Sequence, residues 1–247
     1  MSASGARADI LGAIRRAIDA PGDRAADYGL IERGYAAGGS RNASERLALF
    51  ADRLIHYNVG VHHADAAAVP ATIGAVCAAR AKRQLVVPDS FPTELIPDSV
   101  ESVPDTMLSY EDLDRCEGVL TTATIAIALT GTIVLTHGAG QGRRAATLIP
   151  DYHLCLVRAD QIVETVPEAF RRLASIDPAL ITTISGPSAT ADIEMIRVRG
   201  VHGPRTLDVI IVGTGDWGLG TGDWGLGARD WGLGNPDRRS GSGGRRS

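Results

Sequence analysis

Four short stretches of this chain hold residue types that can bind or activate a small molecule. Thr130-Gly131-Thr132 lies between two strand-like runs. Its glycine permits a positive φ, and its hydroxyls can donate to an anion or simply satisfy the turn. His137-Gly138-Ala139-Gly140-Gln141-Gly142-Arg143-Arg144 sets three alternating glycines ahead of two arginines, where a helix is expected to begin. Exposed N–H groups beside guanidinium suit a carboxylate or a phosphate. The stretch is neither G-x-G-x-x-G nor a Walker loop, since GK[ST] is missing. In Ser185-Gly186-Pro187-Ser188-Ala189-Thr190-Ala191-Asp192-Ile193-Glu194 a strand stops and Gly-Pro turns the chain. Ser188 is then placed to cap a helix whose first turn offers free N–H donors. Asp192 and Glu194 either offset that helix's dipole or, for Glu194, face the site and move a proton. Last comes Gly200-Val201-His202-Gly203-Pro204-Arg205. A neutral imidazole there can act as acid, base or ligand, or can bond the turn backbone. Glu194 and His202 are therefore the candidate catalytic groups. The candidate ligand contacts are Thr130, Gly131 and Thr132; Gly138, Gly140, Gly142, Arg143 and Arg144; and Gly186, Pro187, Ser188, Thr190 and Asp192.

Other chemistries are disfavoured. His62-His63-x-Asp65 puts adjacent histidines on opposite faces of a strand, so no metal site is expected there. HExxH, G-x-S-x-G and CxxC patterns are absent. Cys77, Cys116 and Cys155 are odd in number and far apart, which fits neither a disulfide framework nor a zinc site. A formal net charge of −4 gives no basic footprint for nucleic acid. The basic residues are all arginine except Lys82, a codon-bias pattern that says nothing about phosphate binding. No apolar run is long enough to span a bilayer, and the first residues lack a signal-peptide pattern. The expected location is the cytoplasm.

The elements that must position these loops alternate in type. Helical stripes run over residues 8–20, from Ser44 (with Glu45 as its cap signature) to Tyr57, from Asp65 or Pro70 to Ala81, and over 166–174 and 189–197. Strands are expected at 58–62, 84–87, 152–158, 181–185 and 207–212, and two more, joined by a turn at Thr130-Gly131, within 119–135. Proline-rich residues 88–105 carry little regular structure. The apolar runs ITTIS and LDVIIV read as strands covered on both faces. The result is an α/β fold with a layered, mostly parallel sheet flanked by helices. Ligands of such sheets sit beyond the carboxyl ends of the strands. Residues 1–43 form an N-terminal helix and connector, and 44–212 the α/β domain. Residues 213–247, in which Trp217, Trp224 and Trp231 recur every seven residues amid glycine, read as a disordered tail. Without that tail the chain keeps 20 basic and 25 acidic residues.

From about Val119 to Val212 the motifs TGTIVL, GQGRR, LIPDYHLCLV, ISGPSATADIE and GVHGPRTLDVIIV occur in an order that closely resembles the LUD domain of the lactate-utilisation protein C family. The resemblance implies a fold like that of the sugar-phosphate isomerase, CoA-transferase and formyltetrahydrofolate cyclo-ligase group. It also implies a role in oxidising L-lactate to pyruvate beside two iron–sulfur oxidoreductase-like partners. This chain would then be a non-redox subunit binding a small organic anion or phosphate, with no cofactor of its own. Its three cysteines are fewer than the four thiolates a cluster needs. The rival expectation is a stand-alone isomerase or CoA-transferase-like enzyme working through Glu194 or His202; another is an assembly or regulatory factor with a vestigial pocket. One departure stands out: the family usually has an acid immediately before TGT, and here the residue is Leu129.

Overall fold

The computed structural model describes residues 3–18, 30–32, 34–176, 178, 180–190, 198–199 and 202–213. In chain order it begins with helices α1 (Ala3–Ile18) and α2 (Ala43–His56), strand β1 (Gly60–Ala64), helix α3 (Val69–Ala79), and strands β2 (Gln84–Val87) and β3 (Glu101–Pro104). Helix α4 (Tyr110–Arg115) leads to β4 (Val119–Thr122), β5 (Ile125–Ile127), β6 (Thr132–Leu135), β7 (Tyr152–Arg158) and β8 (Ile162–Val163). Helix α5 (Val166–Ile176) precedes β9 (Thr182–Ile184), β10 (Ala189–Thr190), β11 (Val198–Arg199) and β12 (Thr206–Val212).

Six strands form one parallel sheet in the order β1-β12-β7-β4-β2-β3. The inner strands β12, β7, β4 and β2 are covered on both sides, so they are mostly apolar rather than alternating. One face packs Leu85, Leu120, Leu154 and Ile210 against Val69, Ile73 and Val76 of α3. The other packs Cys155, Val157, Val209 and Ile211 against Leu47, Phe50 and Leu54 of α2 and against a second sheet, β8-β5-β6-β9. Helix α5 closes the far side of that smaller sheet through Ala169 and Leu173. The layers thus run α3, large sheet, small sheet with α2, α5. This is the α/β architecture expected.

Several boundaries differ from expectation for identifiable reasons. Asn42, not Ser44, caps α2: its Oδ1 accepts from Glu45 N at 3.0 Å, and its own N–H donates to Glu45 Oε2 at 2.9 Å. The run 119–135 makes three strands, because the chain leaves the large sheet after Thr122 and enters the small one at Ile125. Within 88–105, β3 forms as an edge strand that tolerates Pro104. At the start of the expected 189–197 helix, Ala189-Thr190 instead pairs antiparallel with Val198-Arg199, placing β-branched Thr190 opposite Val198. No helix therefore begins at Ser188. After the glycine loop, only a 3-10 turn forms at Arg144–Thr147. The Gly/Trp repeat, with the disorder expected of it, lies outside the described residues.

One charge is buried in the large sheet. Asp208 of β12 is 0% exposed. The Arg80 fork at the end of α3 grips it at 2.7 Å on both oxygens, and Tyr152 Oη donates to it at 2.9 Å. His62 Nε2 stands 3.9 Å from Oδ1 on the same face, while His63, the next residue, is exposed. Burial opposes ionisation of Asp208, but His62 and Arg80 outweigh it and hold the carboxyl far below the usual range.

Candidate functional site

Between the two sheets, where β7 and β12 begin, lies a cavity of about 250 Å³. His153 and Leu207 come from the large sheet, Thr182 to Ile184 from the small one, and Arg144, Thr147 and Leu148 from the 3-10 turn region. The rim is Ser185 to Ser188 on one side and His202 to Pro204 on the other. No carboxylate lines it among the described residues. The cavity thus lies at the amino ends of these strands, whereas the expected place for a ligand is beyond the carboxyl ends. The glycine loop packs at the carboxyl end of β4, where Thr122 N donates to Gly140 O and Gly140 N to Ser90 Oγ, both at 2.8 Å.

The rim loops are tied to each other. Ser188 N donates to Pro204 O at 2.8 Å, and His202 N donates to Ser188 Oγ at 3.0 Å. Gly186 has φ +86°, and a Cβ there would stand 2.7 Å from Tyr57 Cβ, so only glycine brings the rim this close to the end of α2. Behind the rim, Ser185 Oγ bonds Thr132 Oγ1 at 2.8 Å, and Thr132 bonds Thr130 Oγ1 at 2.7 Å.

Arg144 reaches the wall through Thr182, with Nη1 donating to Oγ1 at 2.7 Å. His137 fixes that threonine from the other side. Its Nδ1 is 2.9 Å from Gly142 O and its Nε2 2.7 Å from Thr182 Oγ1. A carbonyl only accepts, so Nδ1 carries the proton and a neutral ring takes the Thr182 hydroxyl at Nε2. Thr182 is left with a lone pair aimed at guanidinium. Among the described residues no carboxylate pairs with Arg144. At the cavity floor His153 is 1% exposed, and burial drives its pKa down to about 4, so the ring is neutral at physiological pH.

The family model described as "LUD domain" matches residues 48–212, and thus contains every wall of this cavity. The chain belongs to the LUD-domain family. It is 45% identical over 174 residues to "Lactate utilization protein C" of Deinococcus radiodurans, covering 69% of this chain and 81% of that protein. A protein of the same name from Shouchella clausii is 34% identical over 113 residues, which span about half of its length (49%). Among solved structures, a DUF162 family protein from Deinococcus radiodurans matches with a TM-score of 0.62 and 40% identity, over 70% of this chain and all of that one.

Of the LUD-domain positions singled out from sequence, the fold brings Arg144, Gly186, Pro187, Ser188 and His202 into one cavity. Thr132 stands one hydrogen bond behind it, and Thr130 and Gly131 lie further back, with Gly131 against Arg53 of α2. Gly138, Gly140, Gly142 and Arg143 are not part of the lining. Gly140 packs on Thr122 and Gly142 on Pro88. Arg143 is spent on Asp105, which it grips at 2.9–3.1 Å and which raises its pKa, and on the Leu108 carbonyl. Thr190 lies in β10. Asp192 and Glu194 fall outside the described residues. Leu129, directly before Thr130-Gly131-Thr132, is 41% exposed on the turn and also outside the lining. Sequence reading passed over Thr182 and His153. The one available signal for His153 was a lone polar ring inside the apolar run YHLCLV.

Proposed function

We propose that this LUD-domain protein serves lactate utilisation by holding a small carboxylate in the cavity between its sheets, while iron–sulfur partner proteins carry the electrons. The observation that carries the ligand half is Arg144. It is a guanidinium on the cavity wall where, among the described residues, there is neither a carboxylate in the lining nor a countercharge. A carboxylate is the partner that guanidinium recognises best. A volume of about 250 Å³ suits a three-carbon acid, being smaller than the pockets of drug-sized ligands. The names of the relatives support the pathway, and three cysteines, one short of a four-thiolate cluster, support placing electron transfer on other proteins.

Calorimetry on the full chain with L-lactate, pyruvate and inorganic phosphate tests the ligand half. L-lactate binds, and Arg144→Gln weakens it about tenfold to a hundredfold, the worth of one charge-assisted hydrogen bond. Unchanged affinity in Arg144→Gln, or no carboxylate binding at all, would sink the reading. The partner half predicts co-purification from lactate-grown cells with two proteins whose iron content and visible absorbance mark clusters. Recovery of neither counts against it.

A further inference from the structure

The cation on the cavity wall is steadied by a residue that is not itself part of the lining. Arg144 is exposed, and among the described residues its guanidinium makes one hydrogen bond, from Nη1 to Thr182 Oγ1 at 2.7 Å. A long side chain on a single tether keeps much of its rotamer freedom unless the tether is fixed. A threonine hydroxyl turns about its C–O bond until its one proton is committed. His137 commits it. The ring's Nδ1–H donates to the Gly142 carbonyl at 2.9 Å, which leaves Nε2, 2.7 Å from Thr182 Oγ1, to take the hydroxyl proton. The threonine oxygen then meets Arg144 as an acceptor only.

The backbone aims this ring. His137 has φ +57°, in the left-handed region that residues bearing a Cβ seldom occupy, and Gly140 and Gly142 follow at +72° and +68°. The bend is held from several sides. Thr136 N donates to Gln141 Oε1 at 2.7 Å, Gly140 N donates to Ser90 Oγ at 2.8 Å, and a Cβ on Gly140 would stand 2.8 Å from Thr122 Oγ1. Surroundings that over-determine an unfavourable backbone conformation are found where a side chain must be placed for function.

We infer that His137 is the positioning residue of the anion site: by fixing the Thr182 hydroxyl it holds Arg144 at the cavity wall before a ligand arrives. This rests on the carboxylate reading above and adds a residue outside the lining on which affinity depends. An anion then meets a guanidinium that is already ordered, so less freedom is lost in the binding step.

Calorimetry of L-lactate binding to the full chain tests this as a double-mutant cycle. His137→Asn keeps a residue type that tolerates the left-handed backbone and removes the Nε2 acceptor. Affinity falls about tenfold, the value of one neutral hydrogen bond. Thr182→Val loses as much, whereas Thr182→Ser, which keeps the hydroxyl, stays within about twofold of wild type. In an Arg144→Gln background His137→Asn has no further effect, because His137 acts through that guanidinium. A side chain that merely braced the fold would weaken binding by the same factor in both backgrounds. Thermal melts check that each variant folds; should His137→Asn fail to, Thr182→Val takes its place in the cycle. Nitrogen NMR of the wild type supplies a readout independent of variants: His137 Nε2 gives the downfield resonance of an unprotonated ring nitrogen. Unchanged affinity in His137→Asn, equal losses in the two backgrounds, or a protonated Nε2 overturns this inference, while a loss in Arg144→Gln keeps the carboxylate reading in place. If the wild type binds no L-lactate, both fall.

Discussion

His153 ties stability to pH. Its ring is protonated near pH 6.5 when the chain is unfolded and only near 4 when folded, because the folded interior offers the cation no water. A folded pKa depressed below the unfolded one means that the unfolded chain binds more protons between those values. The contribution is intact above pH 6.5 and is lost as the pH falls toward 4, amounting to roughly 3 kcal/mol. Urea melts from pH 7 to 4.5 will show this slope, and His153→Asn will flatten it; parallel slopes would refute the assignment. Single residues were also where sequence reading succeeded least evenly. Arg143 and Arg144 are neighbours of identical chemistry, yet one is consumed by Asp105 and the other reaches the cavity. That division depends on an acid 38 residues away in sequence, which no local spacing encodes. Ser188 and His202 were legible because Gly-Pro turns mark loops, and loops form rims.

At the scale of elements, helix α3 is joined to the middle of the large sheet by a charge. Asp208 is fully enclosed, and the Arg80 fork is its only cationic grip within hydrogen-bond distance among the described residues. Asp208 is enclosed while the Arg80 side chain is 38% exposed, so removing the arginine strands a buried carboxylate, which costs about 3 kcal/mol. Arg80→Met, which keeps the aliphatic stem, is expected to lower the unfolding free energy by about 3 kcal/mol in urea while leaving L-lactate affinity unchanged, since Arg80 does not line the cavity. A loss below about 0.5 kcal/mol, the usual size for an exposed surface change, would show the pair to be ornamental. The elements themselves were largely readable. Strands β2, β7 and β12 announce themselves as predominantly apolar runs, and α5 as a stripe of apolar positions on a charged helix. Of the small sheet, β9 and the turn at Thr130-Gly131 into β6 were anticipated. Two-residue β8 and the sheet's separateness from the large one were not, because the shift of sheet at Ala123-Thr124 carries no local signature.

For the molecule as a whole, the decisive feature is that the cavity's walls belong to different layers. Thr182 and Ser185 move with the small sheet, whereas His153 and Leu207 move with the large one. A bound acid touching both sides acts as a rivet across the seam. At a concentration about a hundred times its Kd it should add about 2.7 kcal/mol to the unfolding free energy. Amide exchange at Thr182, Thr183 and Ile184 should slow in step with that gain, while exchange in β2 and β3, remote from the seam, should follow only global unfolding. Thermal shift and hydrogen exchange in the same titration check the two together. A stabilising acid that left the β9 amides untouched would have to sit elsewhere. Breathing between the layers then becomes the entry route, and a cell rich in substrate would hold this protein in its stiffer form.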